Sequence, residues 1–154
     1  MIVKSIFRHD GRYELGEVEV NLLPGLPFVH IVGLPDASIR ECGIKLKSAL
    51  RARGRQWPRG HQILVNLRSP SGTRRSSAGV ELAIALGVLA QTGQLSGELA
   101  RRVGSGAVVY GELALTGRVF APEDFGRALW GVEGCADVIT GAVEKRVAQA
   151  GALA

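Results

Sequence analysis

The sequence predicts an α+β fold, a β-sheet with helices packed across one side of it, and three observations carry that reading. Short β-branched stretches are separated by clusters of Pro and Gly, as strands and their turns require. Two longer segments, starting near Asp36 and Ser77, carry the apolar spacing and the start and stop residues of helices. Strands follow one another in runs, which favours an α+β sandwich over a doubly wound nucleotide fold.

Taken in order, Tyr13–Leu23 (YELGEVEVNLL) and Phe28–Val32 (FVHIV) are expected to pair as a hairpin through Pro24, Gly25 and Pro27. Pro35, Asp36 and Ser38 then start a helix, Ile39, Cys42, Ile44, Leu46, Ala49 and Leu50 give it an apolar stripe, and Gly54 stops it. His61–Leu67 reads as a strand. A helix is expected from about Ser77 to Gln91, broken by Thr92 and Gly93 and followed by a short polar helix with Leu95, Leu99 and Val103. Ala107–Leu115 reads as one strand, turning at Thr116 and Gly117 into Arg118, Val119 and Phe120. A helix over Phe125–Gly131, a strand over Asp137–Thr140 and a closing helix over Val143–Ala148 complete the pattern.

Composition restricts the function classes. With 154 residues, 46% hydrophobic and 21% charged, the chain is expected to form one domain over residues 1–154 with a proper core. No apolar run reaches the roughly 20 residues needed to cross a bilayer, and charges interrupt the N-terminus too early for a signal peptide, so a cytoplasmic protein is expected. Cys42 and Cys135 have no Cys or His at ligand spacing and read as buried thiols. His9, His30 and His61 are scattered, which gives no support to a metal site, and His30 reads as a hydrogen-bonded structural residue. Neither a Gly-x-x-x-x-Gly-Lys-Ser/Thr loop nor a Gly-x-Gly-x-x-Gly turn after a first strand is present, so no nucleotide or other cofactor is expected.

Charge adds a partner class. The net charge is +5, and Arg51, Arg53, Arg55 and Arg59 lie close together, with Arg68, Arg74 and Arg75 around a serine loop and Arg101 and Arg102 beyond. Such patches attract DNA or another polyanion, and the competing reading is a solvated, solubilising surface. Trp57 and Trp130 are expected as packing anchors, with Trp57 able to stack on a base amid its arginines.

The run Leu64–Leu89 sends an aliphatic strand through a Ser/Gly/Arg loop into an apolar helix, a junction at which backbone N–H groups converge. Three roles are open to Ser77: a cap for the helix, an anion contact shared with Ser76, Arg74 and Arg75, or a nucleophile. Glu81, on an otherwise apolar helix, is expected to reach solvent or to pair with Arg68, Arg74 or Arg118.

The segments PGLPFVHIVGLPDASIRECGIKLKSALRARG, ILVNLRSP, VELAIALGVLAQTGQL and YGELALTGRV resemble, in order and approximate spacing, the N-terminal domain of the Mg-chelatase-like ComM/YifB family. The resemblance covers most of the chain. It implies a fold similar to the proteolytic domain of Lon, of the ribosomal protein S5 domain 2-like class. It also implies an accompanying AAA+ ATPase module of the Mg-chelatase type, expected to be absent from this chain. The whole family member would be a ring-forming ATPase acting on DNA in natural transformation and recombination. Implied partners are that ATPase module, further copies of the chain and DNA, with no membrane.

Lon carries its nucleophilic serine in a Pro-Ser-Ala-Gly loop, and Ser76-Ser77-Ala78-Gly79 places Ser77 at the matching position. The ComM group commonly has Gly-Gly-Arg-Phe-Asp-Leu there. Lon also needs a lysine on the helix after its Gly-Glu-x-x-Leu-x-Gly hairpin, and aligning GELALTGRVF to that hairpin puts Ala128 at the lysine position with Arg127 beside it. Alanine accepts no proton and arginine stays protonated. The resemblance thus implies a catalytically silent accessory domain, not an enzyme, and the charge pattern of the sequence makes Arg51, Arg53, Arg55, Arg59, Arg74 and Arg75 its expected DNA or anion contacts. The alternative is a Ser-dependent peptidase-like hydrolase using Ser77 as nucleophile, with a base drawn from Lys4, Lys45, Lys47 or Lys145.

Overall fold

The chain begins with an antiparallel hairpin of β1 (Ile2–His9) and β2 (Arg12–Pro24). Asp10 and Gly11 close it with φ of 49° and 75°, a two-residue turn whose positive dihedrals Asp-Gly tolerates well. This computed structural model describes residues 1–71, 78–132, 134–135 and 137–142. The predicted closing helix Val143–Ala148 lies outside them.

β2 does not pair with β3 (Val29–Val32), contrary to the expected hairpin: β4 (His61–Arg68) lies between them, antiparallel to β2 and parallel to β3. The Pro24–Pro27 segment carries the chain past one strand position. α1 (Asp36–Ala52) is the crossover that makes β3 and β4 parallel, and it ends at Arg53 before Gly54 at φ 71°. The main sheet has the order β3-β4-β2-β1-β5-β8, with β5 (Val108–Val109) and β8 (Val138–Ile139) added in parallel beyond β1.

The expected strand over Ala107–Leu115 is two strands in two sheets. β5 ends before Tyr110, and β6 (Glu112–Leu113) pairs with β7 (Val119–Phe120) in a separate ribbon. Gly111 is the breakpoint, where an added Cβ would stand 2.8 Å from Leu82 Cδ2. After the serine loop a 3₁₀ turn, Ala78–Val80, precedes α2 (Glu81–Gln91); α3 (Gly97–Gly104) and α4 (Phe125–Gly131) follow.

Helices cover both faces of the sheet, not the one side expected. β1 alternates: Val3 and Phe7 enter the main core with Val18, Val20, Leu46, Ile63, Val65 and most of α2, while Ile6 faces Val108, Tyr110 and Ala128 of α4. Every residue of α2 from Glu81 to Leu89 is buried, so this helix is an internal element with no solvent face over that span. Gly87 lets it close on the sheet, since a Cβ there would meet Val20 Cγ2 at 2.4 Å. Burying side chains such as Ile84, Leu46 and Phe7 contributes about 1.5–3 kcal/mol each. Cys42 is fully buried, and desolvation pushes its thiol up to about 12; Cys135 is only half-buried. Trp130 is 92% exposed and anchors nothing, and His30 is exposed with its ring edge-on to Phe28. Among the described residues no helix is long and apolar enough to cross a membrane.

Candidate functional site

The basic cluster becomes a groove. Lys47 and Arg51 reach it from the exposed side of α1, and Arg55, Trp57, Arg59 and His61 come from the loop into β4. Gln91 and Gln94, at the end of α2, complete a cavity of about 890 Å³ in which no described lining residue is acidic. The loop is held in place from below. Gln94 accepts the Gln56 N–H at 2.8 Å and returns a hydrogen bond to the Gln56 carbonyl at 2.8 Å, tying it to α2. Trp57 packs half-buried against the main core, and the Arg59 carbonyl lies 2.8 Å from His61 Nδ1.

Arg53 leaves this cluster. Its Nε donates to the Gly117 carbonyl at 2.7 Å, so it braces the turn between β6 and β7, where Gly117 takes a φ of 85°. Arg51, Arg55 and Arg59 therefore come together as expected from sequence, and Arg53 does not join them. Lys47 is the groove cation that the arginine count missed; its position four residues before Arg51 on one helix stripe is the signal that finds it.

Ser76, Ser77, Arg74 and Arg75 lie outside the described residues, as does Lys145. The frame around them is defined. The α-helix begins at Glu81, after the 3₁₀ turn, and the residue before it is Val80, with no side-chain cap. Gly79 is pressed against Tyr110, whose Cε1 would be 2.0 Å from an added Cβ. The Gly111 N–H donates to the Gly79 carbonyl at 3.0 Å and the Leu82 N–H to the Gly111 carbonyl at 3.1 Å, fastening this end of the helix to the β5–β6 segment.

Beside Gly79 lies a cavity of about 200 Å³ bounded in part by Arg8, Tyr110, Glu112, Asp124 and Arg127. Asp124 accepts from Tyr13 Oη at 2.7 Å and from Tyr110 Oη at 2.9 Å, with Arg8 at 3.9 Å. Burial pushes the Tyr110 hydroxyl well up, and the Asp124 carboxylate reinforces the shift; Tyr13 is raised by the same two causes. Both hydroxyls are therefore held protonated as donors. Ala128, which the sequence resemblance aligns with the Lon lysine, is fully buried among Ile6, Val108 and Tyr110, and no described lining residue of this cavity is a lysine. Lys4 lies over Gly106, Lys47 lines the basic groove, and Lys45 is tied elsewhere.

That tie corrects the expectation for Glu81. Its side chain is 2% exposed, so it does not reach solvent, and among the described residues its charged partner is Lys45, not Arg68 or Arg118; Arg74 lies outside them. One oxygen accepts from Lys45 Nζ at 3.1 Å and the other from the Leu113 N–H at 2.9 Å, so a single carboxylate joins α1, α2 and β6. Burial raises the Glu81 carboxyl, with the Leu113 amide and Lys45 pulling against it. Burial opposes the charge on Lys45, but Glu81, Glu112 and Glu41 hold its ammonium above the ordinary value. Arg68 pairs instead with Glu17 and Glu19, and Arg118 lies over the Phe120 ring at 4.9 Å.

The fold and these sites define a small α/β domain with a basic groove. The family model for subunit ChlI of Mg-chelatase matches residues 18–125. An uncharacterized protein of Mycobacterium tuberculosis is 32% identical over 69% of this chain and 20% of its own length. The uncharacterized protein YifB of Escherichia coli is 33% identical over 82% of the chain and 22% of its own length. The competence protein ComM of Haemophilus influenzae is 33% identical over 66% and 19% respectively. The chain belongs to the Mg-chelatase-like ComM/YifB family, and it spans about a fifth of the length of the curated relatives it matches.

Proposed function

We propose that this chain is a Lon-like accessory domain of a ComM-type AAA+ protein, catalytically silent itself, that gives the assembly a contact surface for DNA. The observation that carries the reading is the groove in which Lys47, Arg51, Arg55 and Arg59 converge without an acidic lining residue. Cations gathered along one wall attract phosphates at long range and release counterions on contact. The half-buried Trp57 offers an apolar wall to a base or sugar in the same groove. Silence is supported by Ala128, whose methyl group sits in an apolar cluster where a Lon-type dyad needs an amine. One relative is named a competence protein, in keeping with the role in natural transformation that the family resemblance implies.

The test is binding of fluorescein-labelled DNA to the full chain at low salt. Changing Arg51, Arg55 and Arg59 together to Glu is expected to abolish binding, whereas Arg53→Gln leaves it intact because Arg53 serves the Gly117 turn. Binding that survives the triple reversal would remove the groove from this role.

A further inference from the structure

The basic groove continues into a second, apolar one. Pro27, Lys47 and Trp57 line both, and the second, of about 410 Å³, runs between α1 and the start of β3 over Phe28, Val29, Ile39 and Ile44. Large hydrophobic side chains crowd this edge of the molecule: Phe28 is 56%, Ile44 60% and Val32 66% exposed. Clustered apolar exposure of this kind marks an interaction surface.

β3 supplies a second, independent feature. It is the end strand of the main sheet, and no described strand pairs with its outer side. Sheet edges are usually blunted by charge, Pro or a bulge, yet Val29–Val32 reads Val-His-Ile-Val. The Ile63 N–H donates to the Phe28 carbonyl at 2.8 Å, so by alternation the backbone groups of Phe28, His30 and Val32 address β4. Those of Val29 and Ile31 then face the open edge.

We propose that this edge docks an extended peptide that adds as a strand to β3. Its side chains on one face enter the α1 groove, and those on the other lie beside His30 and Val32. Charge fixes the chemistry of the partner. Arg40 and Lys47 are the charged residues lining the groove, and no described lining residue is acidic. They flank Ile44 on one exposed stripe of α1, seven residues and therefore about 10 Å apart. Because α1 is the crossover between two parallel strands, it runs back along them, and an added strand lies beside that stripe. Strand residues i and i+4 lie about 13 Å apart on one face, a span the long Arg40 and Lys47 side chains close. The recognised segment is thus acidic–x–apolar–x–acidic, its central side chain seated on Ile44 and Val29. This interaction does not depend on the DNA contact.

A phage-displayed random dodecapeptide library panned against the full chain tests the proposal, followed by affinity measurements with an enriched synthetic peptide. The expected result is enrichment of acidic–x–apolar–x–acidic sequences. The peptide should lose at least tenfold affinity on Ile44→Glu, weaken on Arg40→Glu, and bind Arg59→Glu within twofold of the original. Amide resonances of Val29 and Ile31 should shift most, and an unchanged circular dichroism spectrum confirms that Ile44→Glu is folded. The proposal is overturned by no enrichment, by peptides that bind Ile44→Glu equally, or by a peptide lost on Arg59→Glu alone, which places it in the basic groove. A dimer of the unmodified chain that Ile44→Glu dissociates also overturns it and gives the face to a second copy.

Discussion

Replacing Glu81 by Ala removes a side chain that joins α1, α2 and β6. The buried Leu113 N–H loses its acceptor, which costs about 1–3 kcal/mol. Lys45 loses its partner but is 36% exposed and can turn to water, so this loss adds less than about 1 kcal/mol. The space vacated beside Cys42 and Leu113 adds about 1 kcal/mol more. The expected destabilisation is therefore about 2–5 kcal/mol, read as a fall in the urea midpoint without a change in slope. At about 2–4 °C per kcal/mol for a domain of this size, Tm falls by about 4–20 °C. Glu81→Gln keeps an acceptor for the Leu113 amide and should lose less than half as much. An Ala variant that costs under about 1 kcal/mol, or a Gln variant that costs as much as Ala, would refute the reasoning, because the carboxylate would not then be satisfying the amide.

Three further outcomes follow from the same geometry. Gly79→Ala drives a methyl group to 2.0 Å from a Tyr110 ring held by Asp124, and chemical denaturation should show a loss of about 1–3 kcal/mol. The hydrogen bond from Arg102 holds the Asp137 carboxyl below its ordinary value, with Nε to Oδ2 at 2.9 Å. A depressed pKa contributes stability above the unfolded carboxyl value, about 3.9, that is lost as pH falls through the lower folded value; Arg102→Gln should flatten this acid limb in a pH series of melts. A serine-directed fluorophosphonate probe should leave Ser77 unlabelled, by intact mass, because no amine stands at Ala128; stoichiometric labelling lost on Ser77→Ala would instead establish an activated nucleophile.

Local signals were legible where a few neighbouring residues decide the outcome. The start of α1 after Pro35 and its stop before Gly54, the extent of β4 and the body of α4 follow from Pro and Gly punctuation and periodicity, although neither helix begins with a side-chain cap. Pairing was less legible, because the turn residues Pro24, Gly25 and Pro27 mark a change of direction without saying which strand comes next. The Asp10–Gly11 turn was the stronger hairpin signal, and it unites β1 with β2. The break of the Ala107–Leu115 segment at Gly111 depends on Leu82, 29 positions away, and no local pattern carries it. The candidate groove was half visible. Arg51, Arg55 and Arg59 are close in sequence and stay close in space, but Gln94, which fixes the loop bearing them, comes from the far end of α2. Arg53 was indistinguishable from its neighbours until the Gly117 carbonyl gave it another task. Glu81 could not be assigned because its partners, Lys45 and the Leu113 amide, lie on two distant segments.

The proposed DNA contact is tested most directly by the salt dependence of binding, measured by anisotropy with a labelled single-stranded 20-nucleotide DNA. If Lys47, Arg51, Arg55 and Arg59 each neutralise a phosphate, log K against log salt has a slope of about −3. The account predicts that changing Arg51, Arg55 and Arg59 to Gln reduces the magnitude of that slope by about 2, while Arg101→Gln, outside the groove, leaves it unchanged. A slope equal in the original chain and the triple variant would contradict the account.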